Sequence, residues 1–173
     1  MTRKQRLFFA LEPGKQVRQE VHDIQLKLDA QGRMIPAAQF HITVAFLGMQ
    51  SVEVLPSLYS IASRLSFPAC TLVLDRLGTF HRAAVLWLGA TVIPAPLRDF
   101  HQDLLDGLNE AGISFDQKAW KPHLTLYRRL RKRPGIMATV PVNWQLDQFS
   151  LIESINVKNG VEYHPRGNWK SGS

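Results

Sequence analysis

The sequence contains one four-residue pattern twice, as His41-Ile42-Thr43-Val44 and as His123-Leu124-Thr125-Leu126. Each copy lies in a short apolar run that is typical of a β-strand. Alternation with a period of two puts the histidine and the threonine of each copy on one face of its strand and the aliphatic residues on the other. A strand that carries imidazole and hydroxyl groups on one face, twice in one chain, predicts a shared polar site.

The elements that precede the two copies repeat as well. Before the first copy, a strand-like run at 7–11 is followed by a helical apolar stripe that begins near Pro13, and Gly32 marks the predicted helix end. Before the second copy, a strand-like run at 85–88 is followed by a helical stripe that begins at Pro96. The spacing from proline to histidine is nearly the same in both halves. We infer a duplication whose pseudo-two-fold axis brings the two histidine strands side by side.

The remaining patterns complete the predicted fold. They indicate a helix over 55–65, strands over 70–74 and 76–80, and one long strand over 144–152 that is followed by a hairpin through Asn159-Gly160. The predicted class is α+β, a bilobal duplicated fold in which two antiparallel sheets line a central cleft and helices pack outside. No low-complexity linker interrupts residues 1–173, so we expect a single domain.

Charge and composition narrow the range of binding partners that the protein is expected to have. A net charge of +7 and a pI near 9.9 favour a polyanion such as nucleic acid. The densest basic run is residues 128–133, which is interpreted either as a solvated loop or as a contact to phosphate. The lone Cys70 excludes an internal disulfide and a cysteine-based zinc cluster. Because we find neither a membrane-spanning stretch nor a signal-peptide core, a cytoplasmic protein without membrane contact is expected, with a monomer as the default.

The two histidines suit acid–base chemistry on a phosphate ester. Hydrolysis of a phosphate ester requires one proton to leave the nucleophile and another to reach the leaving oxygen. Imidazole, with an unperturbed pKa of about 6.5, can do either at neutral pH. The hydroxyls of Thr43 and Thr125 can stabilise charge on the phosphoryl oxygens. Arg128 can add a charge-assisted contact, but strict alternation puts it on the wrong face unless the strand bulges or ends near Tyr127.

The motifs carry a family resemblance. Together with the opening Arg6-Leu7-Phe8-Phe9-Ala10-Leu11, the Phe46-Leu47-Gly48 triplet and the Pro122-His123 pair, they resemble the two-histidine phosphoesterase superfamily. Within it, the chain is most similar to the RNA 2′,3′-cyclic phosphodiesterases, also called 2′-5′ RNA ligases. The resemblance implies hydrolysis of a 2′,3′-cyclic phosphate at an RNA end to a 2′-phosphomonoester, without a metal or other cofactor. Some family members also join RNA ends reversibly through a 2′-5′ linkage.

The resemblance also implies residue roles. By motif, His41 donates the proton to the leaving O3′ and His123 is the base that activates water. Thr43, Thr125 and Arg128 are then the residues that bind the substrate phosphate, and the expected partner is an RNA with a 2′,3′-cyclic phosphate end.

Other functions stay open at this point. A metallohydrolase needs three or four ligands, and the nearest carboxylate to the second motif is that of Asp116. A non-catalytic RNA-binding member of the same fold also explains the charge, although both motifs are intact. A third alternative is a phosphodiesterase that acts on a small cyclic phosphate or on a 2′-5′ oligonucleotide.

The aromatic residues divide into two predicted groups. Trp87 and Trp144 are interpreted as core residues, whereas Phe80, Trp120 and Tyr163 are candidates for stacking on a base.

Overall fold

The computed structural model describes residues 1–172 and contains three α-helices and ten strands. The helices are α1 (Lys15–Lys27), α2 (Leu55–Arg64) and α3 (Ala95–Glu110). The strands are β1 (Lys4–Leu11), β2 (Gln31–Met34), β3 (Ile42–Ser51), β4 (Cys70–Leu74), β5 (Arg76–Phe80), β6 (Val85–Gly89), β7 (His123–Lys132), β8 (Val142–Leu146), β9 (Gln148–Val157) and β10 (Gly160–Lys170). Within these described residues, no helix combines the length and apolar character needed to cross a membrane.

The strands form two antiparallel sheets of very different size. The larger sheet has eight strands. Seven of them follow the order β10-β9-β1-β3-β7-β6-β5, and the eighth, β2, pairs with β7. The other sheet contains only β4 and β8. The α+β class and the two antiparallel sheets are therefore confirmed, and the large sheet carries both histidine strands.

The large sheet has the symmetry that a duplication predicts. At its centre β3 and β7 pair through Ile42 and Leu124. Outwards from there, β3 is followed by β1 and β9, and β7 is followed by β6 and β5. We call β1, β3, β9 and β10 the first lobe, and β5, β6 and β7 the second lobe.

Alternation along β1 separates the core from the site. Leu7, Phe9 and Leu11 are fully buried in the main core, together with the apolar stripes of the helices. Phe8 and Ala10 face the other side, where they form a small separate cluster. Burial of one large aliphatic or aromatic side chain stabilises a fold by about 1.5–3 kcal/mol, so the helix-covered side holds the sheet in place. The opposite side, the cleft face, is left for polar groups.

Two predicted element boundaries are wrong. Helix α1 ends at Lys27, whereas Gly32 lies inside β2. There β2 approaches β7 so closely that a Cβ on Gly32 would lie 3.0 Å from the carbonyl oxygen of Arg128. The glycine therefore permits a close strand approach. The predicted long strand over 144–152 is two strands, β8 and β9, which separate at Asp147 and join different sheets.

Candidate active site

The two motif histidines are held in the same way. His41 immediately precedes β3, and its Nδ1 lies 2.8 Å from the carbonyl oxygen of Gln39. His123 begins β7, and its Nδ1 lies 2.6 Å from the carbonyl oxygen of Lys121. Because a carbonyl oxygen only accepts, Nδ1 of each ring donates the hydrogen bond. Each neutral ring therefore keeps Nε2 as the nitrogen that can accept a proton from a bound substrate or water.

Each histidine ring also packs between two aromatic side chains, one of which comes from the adjacent strand. The centroid of the His41 ring lies 5.1 Å from that of Phe8 and 5.1 Å from that of Tyr163. The centroid of the His123 ring lies 4.7 Å from that of Phe80 and 6.2 Å from that of Trp87. These contacts remove water from the rings and limit their rotation, so the imidazoles are oriented before a substrate binds.

Arg128 reaches the cleft face because β7 bulges ahead of it. The register between β6 and β7 shifts by one extra β7 residue just after Thr125. As a result Leu126 and Tyr127, which are adjacent in sequence, are both buried. The extra residue changes the phase of the alternation, so Arg128 returns to the face that carries Thr125. Strict alternation puts Arg128 on the wrong face unless β7 bulges or ends near Tyr127, and the structure shows that β7 bulges.

Three of the five predicted site residues, His41, Thr125 and Arg128, line a small depression on the cleft face. Six residues line it: Ile35, Gln39, His41, Thr125, Arg128 and Tyr163. Thr43 lies half-buried on β3, and the pairing of the two central strands sets it beside His123, as it sets Thr125 beside His41. The structure therefore brings together groups from both motifs. Of this set, Ile35 and Gln39 are not predicted by the sequence, because they come from a segment with no apolar alternation.

The electrostatics of the site favour neutral imidazoles in the free protein. Burial lowers the pKa of His41 to about 4; the Gln39 carbonyl opposes this shift, and the positive charges of Arg128 and His123 add to it. Burial also lowers the pKa of His123. The hydrogen bond to the Lys121 carbonyl opposes this shift, and the positive charge of Arg128 adds to it. A bound phosphate anion offsets the guanidinium charge and so favours a protonated ring.

No cluster of three or more histidine, cysteine, aspartate or glutamate side chains suited to a metal ion occurs within residues 1–172. The carboxylate of Asp116 instead accepts a hydrogen bond from the backbone N–H of Lys118 at 3.0 Å. The donor set at the site, two imidazoles with a guanidinium beside them, suits an anion.

The aromatic predictions had mixed outcomes. Trp144 is a core residue as predicted, with 4% of its surface exposed. Trp87 is not, because it is half-buried on the cleft face against His123. Trp120 supports the first motif: its indole N–H donates to the carbonyl oxygen of Thr43 at 2.9 Å, and its ring stacks on His101. Pattern alone could not separate these roles, since all three tryptophans lie near strand-like runs.

The basic run is part of a strand. Residues 128–132 continue β7, and Arg129 follows the bulge with a φ of 50°. The four basic side chains after Arg128 are exposed, and Lys132 forms an ion pair with Asp29 at 3.0 Å. The interpretation of this run as a loop is wrong, whereas its contact with RNA stays a prediction.

The chain is similar to known proteins over nearly its whole length. The sequence profile of the family described as the 2′-5′ RNA ligase superfamily matches residues 13–157. The chain is 30% identical over 177 residues to the RNA 2′,3′-cyclic phosphodiesterase of Escherichia coli (strain K12), with 98% of each protein covered. Its structure matches E. coli LigT complexed with NADP+ with a TM-score of 0.88 and 28% identity, over 99% of this chain and 100% of that chain. It also matches the TT0787 protein of Thermus thermophilus with a TM-score of 0.79 and 26% identity, over 95% and 97% of the two chains.

Proposed function

The chain belongs to the 2′-5′ RNA ligase superfamily, and from that premise we propose that it hydrolyses the 2′,3′-cyclic phosphate at an RNA end to a 2′-phosphomonoester. The observation that carries the proposal is the matched pair of histidines. Each donates through Nδ1 to a backbone carbonyl two residues earlier and keeps Nε2 for the substrate. Two imidazoles in the same tautomer, one from each lobe, suit a reaction that moves two protons at opposite sides of one phosphorus.

In the proposed reaction, the Nε2 of His123 accepts a proton from the attacking water. As the water oxygen bonds to phosphorus, the bond from phosphorus to O3′ breaks, and protonated His41 donates its Nε2 proton to O3′. The low pKa of His41 makes its imidazolium a strong acid, and the anionic substrate favours the protonated ring when it is bound. The 2′-phosphomonoester remains as product.

Charge that develops on the phosphoryl oxygens has donors in place. Arg128 presents a guanidinium beside His41 and Thr125, and the bulge in β7 holds it there. A planar guanidinium can hold two phosphate oxygens at once. The hydroxyls of Thr43 and Thr125 supply one further donor from each lobe. These donors need no rearrangement during the reaction, which is the condition under which they stabilise a transition state most.

The rest of the proposal follows from the family and the charge. The substrate is an RNA whose backbone runs along the exposed basic run of β7. The chain is proposed to work as a single domain and a monomer in the cytoplasm, with no metal or other cofactor. Reversible joining of RNA ends is proposed to use the same groups, because a ribose hydroxyl can take the place of water.

The test is incubation with an oligoribonucleotide that ends in a 2′,3′-cyclic phosphate, in the presence of EDTA, followed by assignment of the product phosphate position. We expect a 2′-phosphate from the wild type. The matched control is the His41→Ala, His123→Ala double variant, prepared identically, so that a contaminating nuclease is recognised. A 3′-phosphate product, or full loss of activity in EDTA with recovery on adding zinc, would contradict the proposal.

A further inference from the structure

Trp87 lies flat on the cleft face of the second lobe, and two glycines make room for it. A Cβ on Gly78 would lie 2.2 Å from the indole ring, and a Cβ on Gly89 would lie 2.8 Å from it. Both glycines are in strands, where glycine is otherwise unfavourable and often marks a place of close approach. The indole is half-buried. It is therefore a broad aromatic surface at the floor of the cleft.

A cation and a second ring complete this surface. The guanidinium carbon of Arg76 lies 5.8 Å from the Trp87 ring centroid. The ring of Phe80 lies 5.4 Å from Trp87 and also contacts His123. Aromatic rings and arginine guanidinium planes are the groups on which nucleobases stack in single-stranded RNA. We call Trp87, Arg76 and Phe80 the second-lobe platform.

The first lobe has a matching arrangement. The guanidinium carbon of Arg6, on β1, lies 5.2 Å from the ring centroid of Phe46, on β3. Phe46 packs against the small cluster that contains Phe8, which in turn contacts His41. Each lobe therefore holds one arginine over one aromatic ring, and the two histidines lie between the two pairs.

Hydrolysis uses only one of these surfaces. In an in-line displacement the nucleophile and the leaving oxygen lie on opposite sides of phosphorus. The ribose that carries the cyclic phosphate releases O3′ towards His41, so its nucleoside lies on the first lobe. Water attacks from the side of His123, and water needs no aromatic surface. In hydrolysis the second-lobe platform therefore only holds the ring of His123 in place, and its aromatic surface binds neither the water nor the nucleoside.

We propose that the second-lobe platform binds the base of a second nucleoside, whose 5′-hydroxyl takes the place of water beside His123. The O5′ proton passes to Nε2 of His123 and the O5′–phosphorus bond forms. The bond from phosphorus to O3′ breaks, and His41 protonates O3′. The product is a 2′-5′ phosphodiester, with atoms and charges balanced and no cofactor consumed. This inference rests on the proposed function, since it uses the same two histidines.

The experiment measures how the donor partitions between two acceptors in one tube. An RNA with a 2′,3′-cyclic phosphate end is incubated with rising concentrations of a 5′-hydroxyl dinucleotide, and the ratio of joined to hydrolysed product is recorded. For the wild type we expect this ratio to rise with acceptor concentration and then to saturate. Trp87→Leu should lower the ratio about 5- to 150-fold at subsaturating acceptor, by loss of one stacked base. Any loss shared by both reactions cancels in the ratio.

Two further variants complete the experiment. Arg76→Met removes the cation and leaves the indole, so it tests the platform even if Trp87→Leu does not fold, and it too should lower the ratio. Phe46→Leu is the matched control from the first lobe, and it should change both reactions together and leave the ratio as it is. A wild type that hydrolyses but never joins would overturn the inference while the proposed function stands. An unchanged ratio in both second-lobe variants would overturn it as well.

Discussion

Replacing Arg128 with glutamine removes one positive charge and keeps a side chain that can still hydrogen-bond. The change acts on the site in two ways. The first is loss of the contact to the phosphate: a hydrogen bond to a charged group contributes about 1.5–3 kcal/mol, so kcat/KM should fall about 10- to 150-fold. The second is electrostatic, because Arg128 lowers the pKa of both His41 and His123 in the free protein.

The direction of the electrostatic effect follows from the charges. A guanidinium disfavours a protonated imidazole beside it, so its removal raises the pKa of each histidine. The free enzyme is active while the pair of rings shares one proton. Its kcat/KM should therefore be bell-shaped, with the alkaline limb below the usual histidine pKa of about 6.5. In Arg128→Gln, both limbs should move to higher pH.

The assay is the initial rate on a nucleoside 2′,3′-cyclic phosphate from about pH 3 to pH 8, so that both limbs of the wild-type profile are recorded. Arg128→Lys retains the positive charge but loses the planar guanidinium that can hold two phosphate oxygens. Its rate should therefore fall, while both limbs of its pH–rate profile stay near those of the wild type. Arg131→Gln is the charge-matched control from the same strand, and it should resemble the wild type with this minimal substrate. A pH profile for Arg128→Gln that differs from the wild type only in height would refute the electrostatic reasoning. A full rate would refute the phosphate contact.

Three other predictions test the remaining groups. Alanine at His41 or at His123 should each lower cyclic-phosphate hydrolysis by about 10²- to 10⁴-fold, and the double variant should be little worse than either single one, as measured by steady-state rates. Valine at either motif threonine should lower the rate about 10²-fold with an unchanged melting temperature; a large fall in melting temperature with activity retained would assign that threonine to structure. Neutralising the four exposed basic residues of the run should reduce the salt dependence of long-RNA binding by about 0.7 in slope per lost contact, whereas turnover of a nucleoside cyclic phosphate should barely change. These residues are Arg129, Arg131, Lys132 and Arg133.

The sequence was sufficient wherever periodicity decides the structure. Alternation alone placed His41 with Thr43 and His123 with Thr125, and the repeated element order placed β3 beside β7. Sequence periodicity failed where the structure depends on which strands pair with each other. The apolar alternation changes phase between Leu146 and Phe149, but a bulge in one continuous strand gives the same pattern, so the sequence alone does not show that β8 and β9 part at Asp147 and join different sheets.

The chemistry of the site shows the same division. The residue types at the motifs predict acid–base groups, but their pKa values depend on burial that only the folded chain provides. His41 loses water to Phe8 and Tyr163, which come from opposite ends of the sequence. The orientation of Arg128 likewise depends on its register with β6. Each is a tertiary effect that no window of sequence contains.

The bulge that places Arg128 has a counterpart in the first lobe. Val44 and Ala45 are both buried, because β3 carries an extra residue against β1 at the same point of its motif. Phe46 therefore returns to the cleft face at the position that corresponds to Arg128 in the second lobe.

Both bulges are held by a side chain from the helix of the other half. Gln25 of α1 donates to the carbonyl oxygen of Leu126 at 2.9 Å, and His101 of α3 hydrogen-bonds the backbone of Val44. The duplicated backbone thus supplies two equivalent positions next to the reacting groups, and the sequence fills them differently. An arginine in one lobe can hold the phosphate charge, and an aromatic ring in the other can hold a base. Equivalent backbones with unlike side chains turn a symmetric sheet into a cleft with a direction, which a phosphodiester with two different ends requires.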